Sequence, residues 1–256
     1  MLEAAFWGLI QGLTEFLPIS SSGHLVLVPA LFGREGPDLA TSAVLHMGTL
    51  AAVLVYYRQE LTEVLRWTEA GRRLLRFMLV GTIPAGAAGL LLRDWFDQLN
   101  EEPRLVAIAM ILMGVVMVGT RFLHRGQRRA SEVRDRDAVV MGVGQAFALI
   151  PGVSRSGATI TSAMVEEFEP RDSANLAFLL GIPAIAGAGL INFIDLAGDG
   201  GSGITVELLV GMVVAAFVGY GAIAALVGLI RRTGLVPFGW YCVGFGVLSL
   251  IVLAVQ

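Results

Sequence analysis

Lysine is absent from this 256-residue sequence, and all eighteen basic residues are arginines. Charge of either sign is scarce: Asp, Glu, Lys and Arg make up 15% of the chain, against roughly 25% in soluble domains. Cysteine occurs once, at Cys242, which excludes an internal disulfide framework. A formal net charge of −3 with no basic surface excludes a nucleic-acid partner. A basic stretch ahead of the first apolar segment is also missing. Glu3 stands near the start and the first basic residue is Arg34, so that segment is expected to stay in the mature protein. What the sequence has in abundance is apolar surface: 55% hydrophobic residues, 32 glycines besides, and a mean hydropathy of +0.74. That composition excludes a disordered chain and specifies an all-α polytopic membrane protein.

A spanning helix needs about 20 mostly apolar residues. Six stretches meet this requirement: 39–57, 77–92 with some flank, 105–123, 174–194, 205–230 and 237–256. Two more, 1–38 and 138–168, are apolar but interrupted by Pro18, Ser20-Ser21-Ser22-Gly23 and Pro29, and by Pro151-Gly152 and Ser154-Arg155-Ser156-Gly157. Each reads as two short helices joined by a polar turn, a re-entrant hairpin of the kind tolerated only where protein or water covers the backbone. With both hairpins re-entering, fourteen arginines fall on one side, in 58–76, 121–136, Arg171, Arg231 and Arg232. Three fall on the other, Arg34, Arg93 and Arg104, while Arg155 stays inside. Basic residues accumulate on the cytoplasmic side, so both termini are expected to face outward. The chain reads as one membrane domain, 1–256, with halves 1–123 and 138–256 joined by an arginine-rich cytoplasmic loop, 124–137.

The halves repeat. Residues 8–23 align without gaps to residues 142–157, with Gly8, Gln11, Ser20, Ser22 and Gly23 matched at a constant offset of 134. Each half then holds one hairpin and three spans. Three is odd, so the halves are inserted upside down relative to each other. Inverted repeats bring their broken elements together near the bilayer midplane.

Ionisable groups inside such segments are costly and mark function. Glu15, His24 and Arg155 fall within the interrupted elements. Gln11 shares a helical face with Glu15 at i, i+4. Ser20, Ser21 and Ser22 come from one turn, and Ser154, Ser156 and Thr159 surround the other. Arginine binds phosphate bidentately, and hydroxyls with backbone N–H groups complete an anion cradle. A carboxylate repels that anion unless a divalent cation stands between them, which points to Mg²⁺ or Ca²⁺ held through Glu15 and Gln11. A histidine and a serine add proton transfer and nucleophilic attack. The residues therefore point to phosphoryl chemistry on a membrane-dissolved substrate. His46, in an apolar helix with no motif around it, reads as a packing residue, and Gly181-Ile-Pro183 as a kink or close-packing site.

Gln11-Gly-Leu-Thr-Glu15-Phe-Leu-Pro18-Ile-Ser20-Ser21-Ser22-Gly23-His24 resembles the first signature of the undecaprenyl-diphosphate phosphatases, also called bacitracin-resistance proteins. Pro151-Gly152-Val153-Ser154-Arg155-Ser156-Gly157-Ala158-Thr159 resembles the second. The resemblance implies removal of the terminal phosphate of a polyprenyl diphosphate lipid, which recycles the carrier for cell-wall synthesis and confers bacitracin resistance. It also implies an inverted-repeat fold, a homodimer, and a place in the bacterial cytoplasmic (inner) membrane with an outward-facing site. Glu15 matches the second acidic position of the first signature and Gln11 the first, in its amide form. Ser21 and His24 match the serine and histidine implicated in catalysis, and Arg155 the essential arginine. At Tyr241-Cys242 the sequence departs from the pattern, which has a basic residue after the tyrosine. The mechanism expected is in-line displacement with Ser21 as nucleophile and His24 as base, a histidine nucleophile or direct attack by water being the alternatives, while Gln11, Ser20, Ser22, Ser154, Ser156 and Thr159 hold the substrate. The competing class is an inverted-repeat transporter or lipid-carrier flippase binding a phosphorylated substrate in the same cleft.

Overall fold

The computed structural model describes residues 1–123, 126–198 and 205–256; His124 and Arg125 of the arginine-rich loop lie outside them. The regular structure of the described residues is helical, apart from one isolated bridge between Arg128 and Phe168. The interrupted segments are hairpins as expected. In the first, α1 (Leu2–Phe16) is followed by α2 (Ser21–Leu31); in the second, α8 (Asp135–Phe147) by α9 (Arg155–Val165). The expected spans are α3 (Leu39–Tyr56), α5 (Glu69–Leu91), α7 (Pro103–Gly119), α10 (Pro170–Gly198), α11 (Val206–Thr233) and α12 (Val236–Val255). Five of the described helices are long and apolar enough to cross a membrane. A sixth span is reached if α3 and the short polar α4 (Arg58–Leu65), which meet at a 76° bend, are taken together as one. Another short polar helix, α6 (Arg93–Asn100), leads into α7. The chain is a multi-pass membrane protein.

Packing follows the repeat in part. Exchanging α1, α2, α3, α5 and α7 for α8, α9, α10, α11 and α12 maps many neighbours onto neighbours, while α9 on α10 has no comparably close counterpart between α2 and α3. Thus α1 lies on α11 as α8 lies on α5, and α3 on α11 as α10 on α5. Likewise α2 meets α12 as α9 meets α7, while α3 pairs with α10 and α7 with α12. The glycines show why these partners can approach so closely. A Cβ on Gly8 would run into the backbone carbonyl of Gly211 on α11, and one on its repeat mate Gly142 into that of Gly81 on α5. In membranes, where water drives no helix association, backbone proximity of this kind holds helices together.

The second helix of each hairpin is capped alike, by a serine three residues ahead of a glycine, although the two turns differ in length and Ser20 alone of the two serines has a positive φ, 69°. Ser20 Oγ accepts the Gly23 N–H at 3.1 Å, and Ser154 Oγ accepts the Gly157 N–H at 3.1 Å. Each cap serine also bonds the hydroxyl two residues on, Ser20 with Ser22 at 3.3 Å and Ser154 with Ser156 at 3.2 Å. The hairpin bases lie at opposite ends of the bundle. The first sits with the chain terminus, where Gln256 Nε2 donates to the Leu31 carbonyl at 3.3 Å. The second sits at the arginine-rich end. There the Arg128 guanidinium donates to both Asp137 oxygens, at 3.0 and 2.6 Å, and covers the Phe168 ring at 4.2 Å. Arg128 thus ties the loop before α8 to the turn after α9.

Candidate active site

The tips of the two hairpins meet in the middle of the bundle. Ser156 Oγ donates to the Leu17 carbonyl at 3.2 Å, and the Gly152 N–H donates to Ser22 Oγ at 3.3 Å. Between the tips lies a cavity of about 150 Å³, lined by Thr14, Glu15, Ser21, Ser22, His46 and Arg155 together with Ala148, Val153 and Ser154. Glu15 is its hub. Oε1 accepts from Arg155 Nη2 at 2.5 Å; Oε2 accepts from Ser21 Oγ at 2.7 Å and from Gln11 Nε2 at 3.0 Å. The carboxylate is buried, so this set of donors is what makes its charge tolerable in an apolar bundle.

Arg155 reaches Glu15 because α10 leaves room for it. A Cβ on Gly181 would collide with the Arg155 guanidinium, so the glycine expected to act in packing also shapes the site. The obstructed atom is the far end of a flexible side chain. Gly181→Ala should therefore fold normally and displace the guanidinium, lowering the catalytic rate on the order of 100-fold. Thermal unfolding and turnover measured on the same preparation check this.

The histidines exchange places relative to expectation. His24 does not line the cavity, and both its ring nitrogens are engaged elsewhere. Nδ1 donates to the Ser20 carbonyl at 2.7 Å, which leaves Nε2 to accept from the Tyr241 hydroxyl at 2.7 Å. Its ring stacks on Phe245, 4.8 Å between centroids. The structure thus places His24 away from Ser21, with no bond between them. His46, expected to be a packing residue, lines the cavity instead. Its Nδ1 donates to the Ser42 carbonyl at 2.7 Å, and its Nε2 faces Glu15 Oε2 at 3.8 Å.

The hydroxyls divide as well. Ser21, Ser22 and Ser154 reach the cavity. Ser20, Ser156 and Thr159 do not line it, being taken up by the turns; Thr159 Oγ1 donates to the Arg155 carbonyl at 2.8 Å. Thr14 lines the cavity without having been expected there, and no motif in the sequence marks it. Its neighbour Glu15 is the only local signal.

A divalent cation fits these residues in one respect. Among the described residues no cluster of three or more His, Cys, Asp or Glu side chains forms a closed metal cage. Yet Gln11 Oε1 is buried without a hydrogen-bond partner, an acceptor left over beside the carboxylate. A half-turn of the amide would bring that oxygen to the Glu15 side. Two oxygen donors suit a cation that takes its remaining ligands from water and phosphate, as Mg²⁺ does. A larger, shallower cavity of about 630 Å³ at the arginine-rich end holds Tyr56, Arg171, Arg231 and Arg232 but neither serine nor carboxylate, so the catalytic set is not there.

With this geometry in view, comparison with known proteins is decisive. Residues 4–248 match the family described as bacitracin resistance protein BacA. The chain belongs to the BacA family. Relatives named undecaprenyl-diphosphatase include one from Thermobifida fusca, 38% identical over 98% of this chain and 89% of its own length. Others are from Halothermothrix orenii, 35% identical over 98% of this chain and 97% of the relative, and Myxococcus xanthus, 37% identical over 99% and 89%. Such coverage extends BacA membership across both repeat halves, so both hairpins of the site belong to the family-wide fold.

Proposed function

We propose that this BacA-family chain removes the terminal phosphate of undecaprenyl diphosphate, giving undecaprenyl phosphate and inorganic phosphate. The observation that carries this reading is a serine hydroxyl, Ser21, bonded at 2.7 Å to a carboxylate that also holds an arginine at 2.5 Å. In the proposed reaction Arg155 turns from Glu15 to the terminal phosphate and spreads its charge over two oxygens. Ser21 Oγ attacks the phosphorus in line, its proton passes to Glu15 Oε2, and the phosphoanhydride bond to undecaprenyl phosphate breaks; water then cleaves the phosphoserine, releasing inorganic phosphate and restoring the hydroxyl. His46 Nε2, 3.8 Å from that oxygen, is the side chain that would take the proton onward. The N-termini of α2 and α9, both at the cleft, add dipoles that favour the phosphate. A divalent cation bound through Glu15 and Gln11 would neutralise the diphosphate as it enters.

The arginine asymmetry supports a site that opens on the outer side of the cytoplasmic membrane. Homodimerisation is supported by the family resemblance. A transporter would need the inverted repeat but not a serine held against a carboxylate, and the named relatives are phosphatases, so the transport reading is not favoured. The test is phosphate release from undecaprenyl diphosphate by the purified protein, with Mg²⁺ or Ca²⁺ and after chelation. Release that requires the cation is the expected result. No release by well-folded protein sinks the phosphatase reading, and cation-independent release sinks the role given to Gln11.

A further inference from the structure

A second cavity, of about 380 Å³ and almost wholly apolar, lies between α7 and the second hairpin. Its walls include Ala109, Leu112 and Val116 from α7, Phe147 from α8, and Ala158 from α9. Leu112, Val116 and Phe147 are exposed, so the groove opens toward the lipid. Val153, at the hairpin tip, lines both this groove and the polar cleft, so the two share a wall. From Ala109 to Val116 the groove follows about 10 Å of helix.

The repeat shows that this opening is specific to one half. Carried one residue beyond Gly23 and Gly157, the gapless register pairs His24 with Ala158. In the first half the space between α2 and α12 is filled by His24 stacked on Phe245 and bonded to Tyr241. In the second half the corresponding position, between α9 and α7, carries only a methyl group, and the space stays open.

We propose that this groove receives the isoprenoid chain of the substrate where it leaves the cleft. A diphosphate held between Arg155 and Ser21 is attached to a long hydrocarbon, which must exit through an apolar wall. The groove is an apolar surface that begins at Val153, on the wall of the cleft, and opens at the exposed Leu112, Val116 and Phe147. This inference rests on the phosphatase reading and adds a chain-binding surface to it.

The test fills the groove without touching the cleft. Ala109→Phe and Val116→Trp narrow it at points seven residues apart, while Val115→Phe adds similar bulk to an exposed site of α7 outside it. Kinetics on purified protein with undecaprenyl diphosphate should show KM raised about tenfold by either groove variant, with kcat within twofold of wild type, because only apolar chain contacts are lost. Val115→Phe should match wild type. An unchanged KM in a folded groove variant overturns the proposal and leaves the groove to bulk membrane lipid. A fall in kcat alone overturns it too, since filling would then act on the cleft. Thermal unfolding identifies a variant that fails to fold, and the other then decides. Wild type that releases no phosphate overturns the phosphatase reading and the groove with it, whereas active wild type with indifferent groove variants overturns the groove alone.

Discussion

Arg155→Ala should lower the rate of phosphate release on the order of 1,000-fold or more, the range seen when an arginine that stabilises a phosphoryl transition state is removed. The geometry explains why no neighbour can substitute. Arg155 is the one cation among the residues that line the cavity, apart from His46 when protonated, and it sits on Glu15 at 2.5 Å. Arg155→Lys should recover part of the activity only, since an ammonium keeps the charge but loses the planar fork that meets two phosphate oxygens. A purely structural pairing with Glu15 predicts something else. Removing one partner of a buried pair leaves an uncompensated charge, at a cost of roughly 3–5 kcal/mol, so the loss would then be one of folded protein and not of turnover by what folds. Thermal unfolding and turnover of Arg155→Ala on the same preparation separate these cases. Near-wild-type turnover by the folded variant would falsify the catalytic role of Arg155.

His46→Ala should reduce kcat on the order of 100-fold with little change in stability, as expected for loss of a group that handles a proton. His24→Ala should do the reverse. It removes a ring stacked at 4.8 Å on Phe245 together with bonds to Ser20 and Tyr241, so the melting temperature should fall while kcat stays within about tenfold. Both variants are measured by thermal unfolding and by full kcat and KM determination on undecaprenyl diphosphate. If folded His24→Ala is inactive while His46→Ala is unaffected, the exchange of roles between the two histidines is wrong.

The hairpins and spans were legible in the sequence because a polar turn inside an apolar run has few places to go in a bilayer. Glu15, Ser21 and Arg155 were legible for a related reason: charged groups in apolar segments are costly unless paired, and the two interrupted elements are where such pairing is expected. The histidines were not. His24 follows the serine run directly, yet α2 begins at Ser21, and successive residues of a helix turn by about 100°. Three residues on, the side chain has turned to α12, where Tyr241 and Phe245 wait one helical turn apart. His46 sits on a plain spanning helix. Only the approach of α1 to α3 brings it to Glu15, and that approach is a tertiary fact with no local signature. The same holds for Gly181, whose missing side chain matters because of Arg155, 26 positions earlier in the chain.

The register of the repeat has a consequence for symmetry. Ser21 and Arg155 occupy the same position in their respective halves, as do Glu15 and Leu149. Two identical half-chains about a two-fold axis would surround it with two acids or none, and with two serines or two arginines. Neither arrangement gives one nucleophile, one anchor and one acid between them. The trio needs two halves joined in one chain and different at these positions. The backbone pairs the halves, and the chemistry depends on their being unlike.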